Sequence, residues 1–476
     1  MLLCEGYTDT QVYVLGLGKS GLAAARALVR SGARVTVWDD QEESRAKAKL
    51  EGLRVREYDR INWGHMTALV ISPGIPHTFP KPHPAAKLAK DSGVPIIGDI
   101  ELLATSGAAA PQIAITGTNG KSTTTALLGH IVESTGRQVE IGGNLGPPIS
   151  DMTMLEQDGV YVLELSSYQL ELCPTARFKI SVLLNVTPDH LDRHGGMSGY
   201  IQAKKNIFHS QGSGDTAIIC IDDDVTAEIY ADIQNRSGLK IIPISSKTTL
   251  PNGIYVKDGK LIDDLDGQKK FIMNLNNLAN LPGLHNAQNI VAAYAVARTL
   301  KIVSDQIVEA IQSFPGLAHR QEIIEYFDGI TFVNDSKATN GEATAKALAC
   351  YENIYWIAGG KAKETGLEGL AEFLPRIRKA FLIGDAAESF AKVLDGKVAF
   401  EISGDLETAT HHAREMAVQD GLKNAVVLLS PACASFDQFA NFEARGDAFR
   451  MTVDRMRLDH SGGTVHVQIG NSEARL

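Results

Sequence analysis

The sequence predicts an α/β protein of three domains, of which the first and the last are Rossmann-like. Short apolar runs rich in Val and Ile alternate with segments of helical period along nearly the whole chain, which is typical of parallel strands joined by crossover helices. Glycine-rich turns follow two of these runs and open helices. A chain of 476 residues is long enough for two or three domains, each with its own core.

The composition and charge argue against several classes of protein. Hydrophobic residues make up 44%, charged residues 21%, and the net charge is -10. This profile argues against a disordered chain and against a wide nucleic-acid-binding face. The five cysteines form no Cys-x-x-Cys pair, and the first residues lack the basic start of a signal peptide. With no apolar run of membrane-spanning length, we expect a cytoplasmic protein.

The first predicted domain, residues 1–98, opens with a phosphate-binding pattern. Gly16-Leu-Gly18-Lys19-Ser20-Gly21 follows an apolar strand and begins a helix, and Asp39 ends the second strand about 20 residues later. Ser72 ends the third. This pattern suits NAD, but the diphosphate of a UDP-sugar satisfies the same glycine turn, and a turn without ligand is a third interpretation. The predicted strands are Gln11–Leu15, Ala33–Trp38, Thr67–Ser72 and Val94–Ile97.

The second predicted domain, residues 99–316, carries a sharper motif. Thr116-Gly117-Thr118-Asn119-Gly120-Lys121-Ser122-Thr123 lies between a strand and a helix, and its glycines, lysine and hydroxyl indicate an ATP site with Mg²⁺. The usual P-loop spacing is not met, because residue 115 is Ile. The predicted elements are strands Gln112–Thr116, Gly159–Glu164, Ser181–Asn185 and Thr216–Cys220, a hairpin over Gly253–Leu265, and helices Asn286–Leu300 and Ser304–Phe314.

Three further positions of this domain suggest metal chemistry. Glu164 ends an apolar strand at the edge where α/β sheets bind ligands, so it predicts a Mg²⁺ ligand, or else a partly exposed strand end. His190 and His194, four residues apart, could share a helix face as zinc ligands do, although a structural histidine is the alternative. Lys204 falls on the apolar side of a predicted helix over Gly199–Ser210, so it must be paired, neutral or modified unless its amine reaches solvent.

The last predicted domain, residues 317–476, reads as a doubly wound sheet of five or six strands with a tail after about residue 460. Polar groups follow three of its strands, in Asn334–Asn340, Gly359–Lys363 and Ser430–Phe439. Together they predict a pocket for an anionic substrate, though each could be an ordinary loop. The predicted strands are Gly329–Val333, Ile354–Ala358, Lys379–Ile383, Val398–Ile402 and Ala425–Leu429.

These motifs resemble the Mur ligases, ATP-dependent amino-acid ligases of bacterial cell-wall synthesis, over nearly the whole chain. Gly117–Ser122 is similar to their ATP loop, and Gly283-Leu-His-Asn-Ala-Gln-Asn289 to their adenine-side motif. Asn334–Asn340 and Ser430–Phe439 resemble the branch that adds D-glutamate. The Asp-Asn-Pro-Arg motif typical of the branch that adds meso-diaminopimelate is absent.

The resemblance implies a UDP-binding first domain, a central P-loop ATPase-like domain and a third domain for the incoming amino acid. It implies that the enzyme phosphorylates the carboxylate of UDP-N-acetylmuramoyl-L-alanine to an acyl phosphate, which the amine of D-glutamate then attacks. The implied partners are these two small molecules, with no nucleic acid, no membrane span and a monomeric enzyme. The alternatives are another amino-acid-adding Mur ligase or a folylpolyglutamate synthase-like ligase; an NAD oxidoreductase or a nucleotide switch leaves one motif or the other unused.

The resemblance also assigns residues. It implies two Mg²⁺ sites held by Ser122, Glu164, His190 and a carbamylated Lys204, with Lys121, His190 and Lys204 catalytic. The implied ATP contacts are Gly117, Thr118, Asn119, Gly120, Lys121, Ser122, Thr123, Asn286, Asn289, Arg320, Asp335 and Lys337. The implied substrate contacts are Gly18, Lys19, Ser20, Asp39, Ser72, Asn144, Thr339, Lys363, Ser435 and Phe442. One departure is Asp40-Gln41, where some relatives carry Thr-Arg against uracil or ribose.

Overall fold

A computed structural model describes residues 2–276, 278, 280–361, 366–367 and 369–460, without the side chains of 284, 285 and 460. The chain forms two compact units. The first comprises Met1–Asn276 and Leu284–Phe314, and the second Asn277–Gly283 and Pro315–Leu476. The predicted tail lies outside the described residues.

The first unit begins with a five-stranded parallel sheet of order β3-β2-β1-β4-β5. Its helix α1 starts at the glycine turn, where a Cβ on Gly21 would lie 1.8 Å from the carbonyl oxygen of Gly16. Only glycine permits this close approach of helix and turn. The elements are β1 (Gln11–Leu15), α1 (Lys19–Arg30), β2 (Arg34–Trp38), α2 (Glu42–Leu50), β3 (Arg54–Val55), β4 (Ala68–Ile71), α3 (Pro84–Asp91), β5 (Ile96–Ile97) and α4 (Asp99–Ala104).

A nine-stranded sheet of order β14-β13-β12-β11-β10-β9-β6-β8-β7 follows. It is parallel except at β12–β13 and β13–β14, which pair antiparallel. Its elements are β6 (Gln112–Thr116), α5 (Lys121–Glu133), β7 (Val139–Gly143), β8 (Val160–Glu164), α6 (Ser167–Leu170), β9 (Ile180–Leu183), α7 (Leu191–His194), α8 (Met197–Lys205), β10 (Thr216–Cys220), α9 (Asp224–Ile233), β11 (Lys240–Ser245), β12 (Ile254–Lys257), β13 (Lys260–Asp263), β14 (Lys270–Asn274), α10 (Leu284–Thr299) and α11 (Ser304–Ser313).

One hydrophobic core joins the two sheets of the first unit. Buried residues of the first sheet and α1, such as Val14 and Leu28, belong to the same cluster as Ile149, Leu163 and Ile219 of the second sheet and its connections. This shared core explains why the first 276 residues cluster as one compact body. The expected division at residue 98 therefore stays a prediction.

The second unit contains a six-stranded sheet of order β15-β16-β20-β17-β18-β19, parallel except for the edge strand β15. Separate apolar clusters cover its two faces. The parallel part is the doubly wound arrangement that the sequence predicts. The elements are β15 (Glu322–Phe327), β16 (Ile330–Asn334), α12 (Gly341–Leu348), β17 (Ile354–Gly359), β18 (Ile377–Ile383), α13 (Ala387–Leu394), β19 (Phe400–Gly404), α14 (Leu406–Asp420), β20 (Ala425–Leu429) and α15 (Phe442–His460).

The structure corrects some predicted elements. The helix expected over Gly199–Ser210 begins two residues earlier, ends at Lys205 and tightens into a 3₁₀ turn over Asn206–Phe208. Five strands were not predicted: β3, β7, β11, β14 and β15. Four of them, β3, β7, β14 and β15, are edge strands with few fully buried residues, so they lack the apolar runs of central strands. Among the described helices, none is long and apolar enough to span a membrane.

Candidate functional site

A cavity of about 480 Å³ opens in the first unit between the glycine turn of the first sheet and the loops of the second. Both phosphate-binding motifs contribute to it, since Lys19, Ser20 and Lys121 line it together. The other lining residues are Pro73, Gly74, Gly143, Asn144, Gly146, Pro148, Ser166, Ser167, Tyr168, Gln169, Asp189, His190, Tyr200 and Lys204.

The glycine turn of the first sheet is held from two sides. Gly18 is the N-cap of α1, so Lys19 and Ser20 occupy its first turn, where backbone N–H groups favour anions. Ser72 donates to the carbonyl oxygen of Gly16 at 3.1 Å. Asp39 accepts from the backbone N–H of Leu17 at 2.6 Å and from that of Gln41 at 2.8 Å. In this structure Ser72 and Asp39 therefore shape the turn.

The ATP loop is braced by β9 and its following loop. The N–H of Asn119 donates to Asn185 Oδ1 at 2.8 Å, and Asn185 Nδ2 returns a bond to the Asn119 carbonyl at 3.1 Å. Thr118 Oγ1 donates to the carbonyl of Thr187 at 3.0 Å. Lys121 donates to the carbonyls of Gly117 and Thr118 at 2.8 and 2.9 Å. Ser122 and Thr123 follow in the first turn of α5.

The N-terminal part of α10 packs directly on this loop through Asn289. Gly120 has φ of 85°, and a Cβ there would lie 2.3 Å from Asn289 Oδ1. Thr124 Oγ1 donates to the same oxygen at 3.2 Å, and Asn289 Nδ2 donates to Asn286 Oδ1 at 2.9 Å. The two asparagines of the adenine-side motif thus lie beside the ATP loop, and their contact with adenine stays a prediction.

Glu164 is 1% exposed at the end of β8. Its Oε1 accepts from Asn144 Nδ2 at 2.8 Å, while its buried Oε2 has no hydrogen-bond partner. A buried carboxylate oxygen without a donor is unfavourable unless a cation joins it. Glu164 therefore fits the role of a Mg²⁺ ligand, and its predicted alternative, a partly exposed strand end, is wrong.

Lys204 is 1% exposed, so the alternative in which its amine reaches solvent is also wrong. Its Nζ donates to the Gly117 carbonyl at 2.8 Å and lies 4.8 Å from the ring centroid of Tyr200. Burial, and then the charge of Lys121, lower the pKa of Lys204 well below its usual value. The neighbouring Lys205 instead pairs with Asp232 at 2.9 Å near the surface.

His190 and His194 do not share a helix face. His190 precedes α7 as a left-handed residue with φ of 51° and lines the cavity. His194 is buried, and its two ring nitrogens lie 2.9 Å from Ser167 Oγ and 2.8 Å from Glu171 Oε1. The zinc interpretation is therefore wrong, because His194 has no nitrogen left for a metal. Among the described residues, no three His, Cys, Asp or Glu side chains are grouped to hold a metal.

The segment Ser166–Gln169 lines the cavity and was not predicted from the sequence. Ser166 and Gln169 form a reciprocal capping box at the start of α6, shortly after Glu164 ends β8. Tyr168 lies 5.3 Å, centroid to centroid, from both His190 and His194. The Ser-x-x-Gln pattern that begins two residues after Glu164 is the sequence signal that could have revealed this segment.

In the second unit, Asp335 follows β16 and is buried. Its Oδ2 accepts from Ser430 Oγ at 2.7 Å and its Oδ1 from the backbone N–H of Gln321 at 3.1 Å. Burial raises the pKa of Asp335 to about 7, although these bonds and the charge of Arg320 oppose the shift. The loops after β16 and β20 are thereby joined, which confirms that their polar residues meet at one sheet edge.

The remaining predicted residues of this unit lie around the same edge. Lys337 Nζ lies 4.3 Å from the ring centroid of Phe442. Ser435 is buried and Thr339 is half-buried. Lys363 lies outside the described residues.

The chain is similar to known proteins in two domains and over nearly its whole length. The Mur ligase middle domain matches residues 115–297, and the N-terminal domain of MurD-like Mur ligases matches residues 10–98. The UDP-N-acetylmuramoylalanine–D-glutamate ligase of Caulobacter sp. K31 is 48% identical over 95% of this chain and 98% of its own. The chain belongs to the Mur ligase family. The enzyme of the same description from Rhodospirillum rubrum is 48% identical over 94% and 95% of the two chains.

Solved Mur ligase structures share the fold. The Thermotoga maritima UDP-N-acetylmuramate–alanine ligase has a TM-score of 0.54 at 17% identity, covering 95% of this chain and all of its own. The Acinetobacter baumannii ligase that adds D-alanyl-D-alanine has a TM-score of 0.56 at 17% identity, covering 95% and 92%. As expected of a Mur ligase, the chain is an α/β protein with three parallel-rich sheets, and enzymes of this family use ATP and Mg²⁺.

Proposed function

We propose that this Mur ligase joins D-glutamate to UDP-N-acetylmuramoyl-L-alanine at the expense of ATP, a step of peptidoglycan precursor synthesis. The observation that carries the proposal is the single cavity lined by Lys19 and Ser20 of the first sheet and by Lys121 of the ATP loop. It gives a diphosphate-linked acceptor and a phosphoryl donor one shared space. The two highly similar relatives are named for the same reaction.

The residues of the cavity have separate roles in phosphoryl transfer. Lys121 leaves its two loop carbonyls to neutralise charge on the transferring phosphoryl group. Asn144 holds Glu164 in place, and Glu164 and Ser122 would hold Mg²⁺. The metal supplies neutralisation of phosphate charge when bound. His190 and Lys204 would hold the second ion. The carboxylate of the acceptor becomes an acyl phosphate, and the D-glutamate amine displaces inorganic phosphate from it.

We propose that Lys204 is carbamylated. A buried lysine with a lowered pKa is readily neutral, and a neutral amine can attack carbon dioxide. The new N–C bond forms with loss of one proton to solvent, and the product is a carbamate anion. This change replaces a neutral amine beside Lys121 with an anion that suits a metal ion.

The second unit would receive the amino acid. Thr339, Lys363, Ser435 and Phe442 bind D-glutamate in this proposal, and Arg320, Asp335 and Lys337 reach the nucleotide. The domains would divide as 1–98, 99–316 and 317–476. We place the enzyme in the cytoplasm, since its five cysteines are free thiols, and we take it to be a monomer.

Phosphate release tests the reaction and its specificity together. ATP, Mg²⁺ and UDP-N-acetylmuramoyl-L-alanine are supplied, and D-glutamate, L-glutamate or meso-diaminopimelate is added in turn. We expect release with D-glutamate alone. Release with another amino acid would retain the ligase but contradict the substrate, while no release with any of them would contradict the proposed function.

A further inference from the structure

Arg193 is a buried cation with no role in the reaction as described above. It lies in α7, three residues after His190, and is 8% exposed. Its Nη2 donates to the carbonyl oxygen of Ile75 at 3.1 Å and, more weakly, to that of Pro73 at 3.5 Å. Both carbonyls belong to the segment that follows β4. A helix of the second sheet therefore holds the backbone of the first.

The charge of Arg193 is balanced on the side of the second sheet. Its Nη1 lies 3.7 Å from Glu171 Oε2, and its guanidinium carbon lies 5.1 Å from the ring centroid of Tyr168. The same ring lies 5.3 Å, centroid to centroid, from His190. Within the described part of the chain, Nε and Nη1 have no hydrogen-bond partner. The hydrogen bonds of this side chain therefore go to the segment after β4.

The segment that Arg193 holds packs directly on the glycine turn. A Cβ on Gly16 would lie 2.7 Å from Ile75 Cδ1 and 2.6 Å from Ser72 Oγ. The N–H of Ile75 donates to the Ser72 carbonyl at 2.9 Å. The two residues between Ser72 and Ile75 line the cavity. Arg193 is thus linked to the glycine turn through a single residue, Ile75.

A second contact brings the same segment against the end of α7. Gly195 is the C-cap of this helix with φ of 69°, and a Cβ there would lie 2.8 Å from the Phe79 ring. Phe79 is half exposed, and an apolar contact has no preferred direction. Hydrogen bonds are directional, so the contacts of Arg193 are the ones that fix where the segment lies.

We propose that Arg193 is a positioning residue, which fixes the spacing between the glycine turn of the first sheet and the phosphoryl-transfer residues of the second. The inference rests on the proposed function, in which the turn binds the diphosphate and the acceptor carboxylate reaches the ATP loop. One substrate molecule then contacts both places, so a change in their spacing misplaces the reacting carboxylate. A misplacement of about 1 Å can reduce a rate about 100-fold.

The test compares the substrate that spans both sheets with ligands that do not. In Arg193→Met we expect kcat to fall about 100-fold. KM for UDP-N-acetylmuramoyl-L-alanine should rise about tenfold, because a linked ligand binds less tightly when its two ends no longer fit together. The affinities for free UDP and for ATP, measured by calorimetry on the full-length enzyme, should not change, since neither ligand spans the two sheets.

Two results would overturn the proposal. A weaker affinity for free UDP, by the same factor as for the whole substrate, would show that Arg193 only shapes the turn. A lower kcat with unchanged KM values would show only that less of the enzyme is folded.

Two further variants complete the test. Arg193→Lys keeps the charge beside Glu171 without the planar fork, so it should show the same changes, and it replaces the Met variant should that fail to fold. Arg177→Met is the matched control. Arg177 also joins a carboxylate and a backbone carbonyl, those of Asp215 and Ser213, but within the connections of the second sheet. It should leave kcat and both KM values unchanged.

Hydrogen exchange separates this inference from the proposed function, because it needs no substrate. In unliganded Arg193→Met we expect the amides of residues 73–79 to exchange about tenfold faster or more, since the segment loses its hydrogen bonds to a charged group. If the wild type releases no phosphate with any amino acid, the proposed function fails. Exchange at the wild-type rate in this segment would overturn the role of Arg193 in either case.

Discussion

Two lysines share one backbone oxygen at the centre of the first unit. Lys121 and Lys204 both donate to the carbonyl of Gly117, at 2.8 Å each. Lys204 is buried, and the charge of Lys121 opposes its own charge. Lys121 therefore lies beside a side chain that favours its neutral form.

Removal of carbon dioxide tests the role of Lys204. We expect the wild type to lose activity in degassed buffer and to recover it with bicarbonate, because the carbamate is reversible. Lys204→Ala should lose about 100-fold or more in kcat, as when one electrostatic group of an active site is deleted, and should not respond to bicarbonate. Lys205→Ala, the matched neighbour at the surface, should behave as the wild type. An unchanged wild-type rate without carbon dioxide would contradict the modification.

The raised pKa of Asp335 predicts how the stability of the protein depends on pH. Its pKa is about 7 in the folded chain against 3.8 as the ordinary value, so the folded state holds this proton more tightly than the unfolded state. Stability from this group is present below pH 4 and is lost as pH rises toward 7. In Asp335→Asn, the fall in melting temperature from pH 4 to pH 7 should be smaller than in the wild type. Parallel pH curves for the two proteins would contradict the shifted pKa.

At the scale of the secondary-structure elements, the ends of the strands position the residues of the cavity. The neighbouring parallel strands β6, β8 and β9 bring Lys121, Glu164 and His190 to one edge, because Glu164 ends β8 while Lys121 and His190 follow the carboxyl ends of β6 and β9. α10 then covers the ATP loop with Asn289. The three strands thus position the side chains of the site, and α10 holds the ATP loop in place.

The close contact between α1 and the glycine turn predicts the effect of a substitution at Gly21. Gly21→Ala would place a methyl group 1.8 Å from the Gly16 carbonyl, so α1 must shift. Such overpacking costs about 1–3 kcal/mol. We expect a lower melting temperature and a KM for the UDP-linked substrate raised by about tenfold or more, since small misplacements of a binding group have large effects.

The matched control is Gly6→Ala, where no atom lies within 4 Å of the added Cβ. It should alter neither property. A Gly21 variant with normal KM would show that the turn does not bind the diphosphate.

The sequence allowed central strands and their ends to be predicted, because apolar runs and glycine turns are local. Lys204 was placed on a buried face from helical period alone, and the structure bears this out. Edge strands such as β14 and β15 could not be found, since half their residues face solvent. The surroundings of His194 were missed for another reason: Ser167 and Glu171, which lie beside its two ring nitrogens, are 27 and 23 residues away in the chain.

At the scale of the whole molecule, the second unit has its own sheet and an apolar cluster on each face. Residues 315–476 should therefore fold alone. We expect a cooperative thermal transition by circular dichroism and no ATP binding by calorimetry, because the ATP loop belongs to the first unit. A fragment that shows no transition would indicate that the core depends on the rest of the chain.

The left-handed backbone of His190 has a consequence for protein engineering. A non-glycine residue with φ of 51° costs about 1–2 kcal/mol relative to glycine, and this side chain is half exposed, so little packing compensates for the strain. A library selected only for heat resistance would accordingly be drawn toward glycine at this position. The surviving clones would be more stable proteins without the imidazole at the cavity wall. If His190 acts in catalysis as proposed, thermostability and turnover have to be selected together at residue 190.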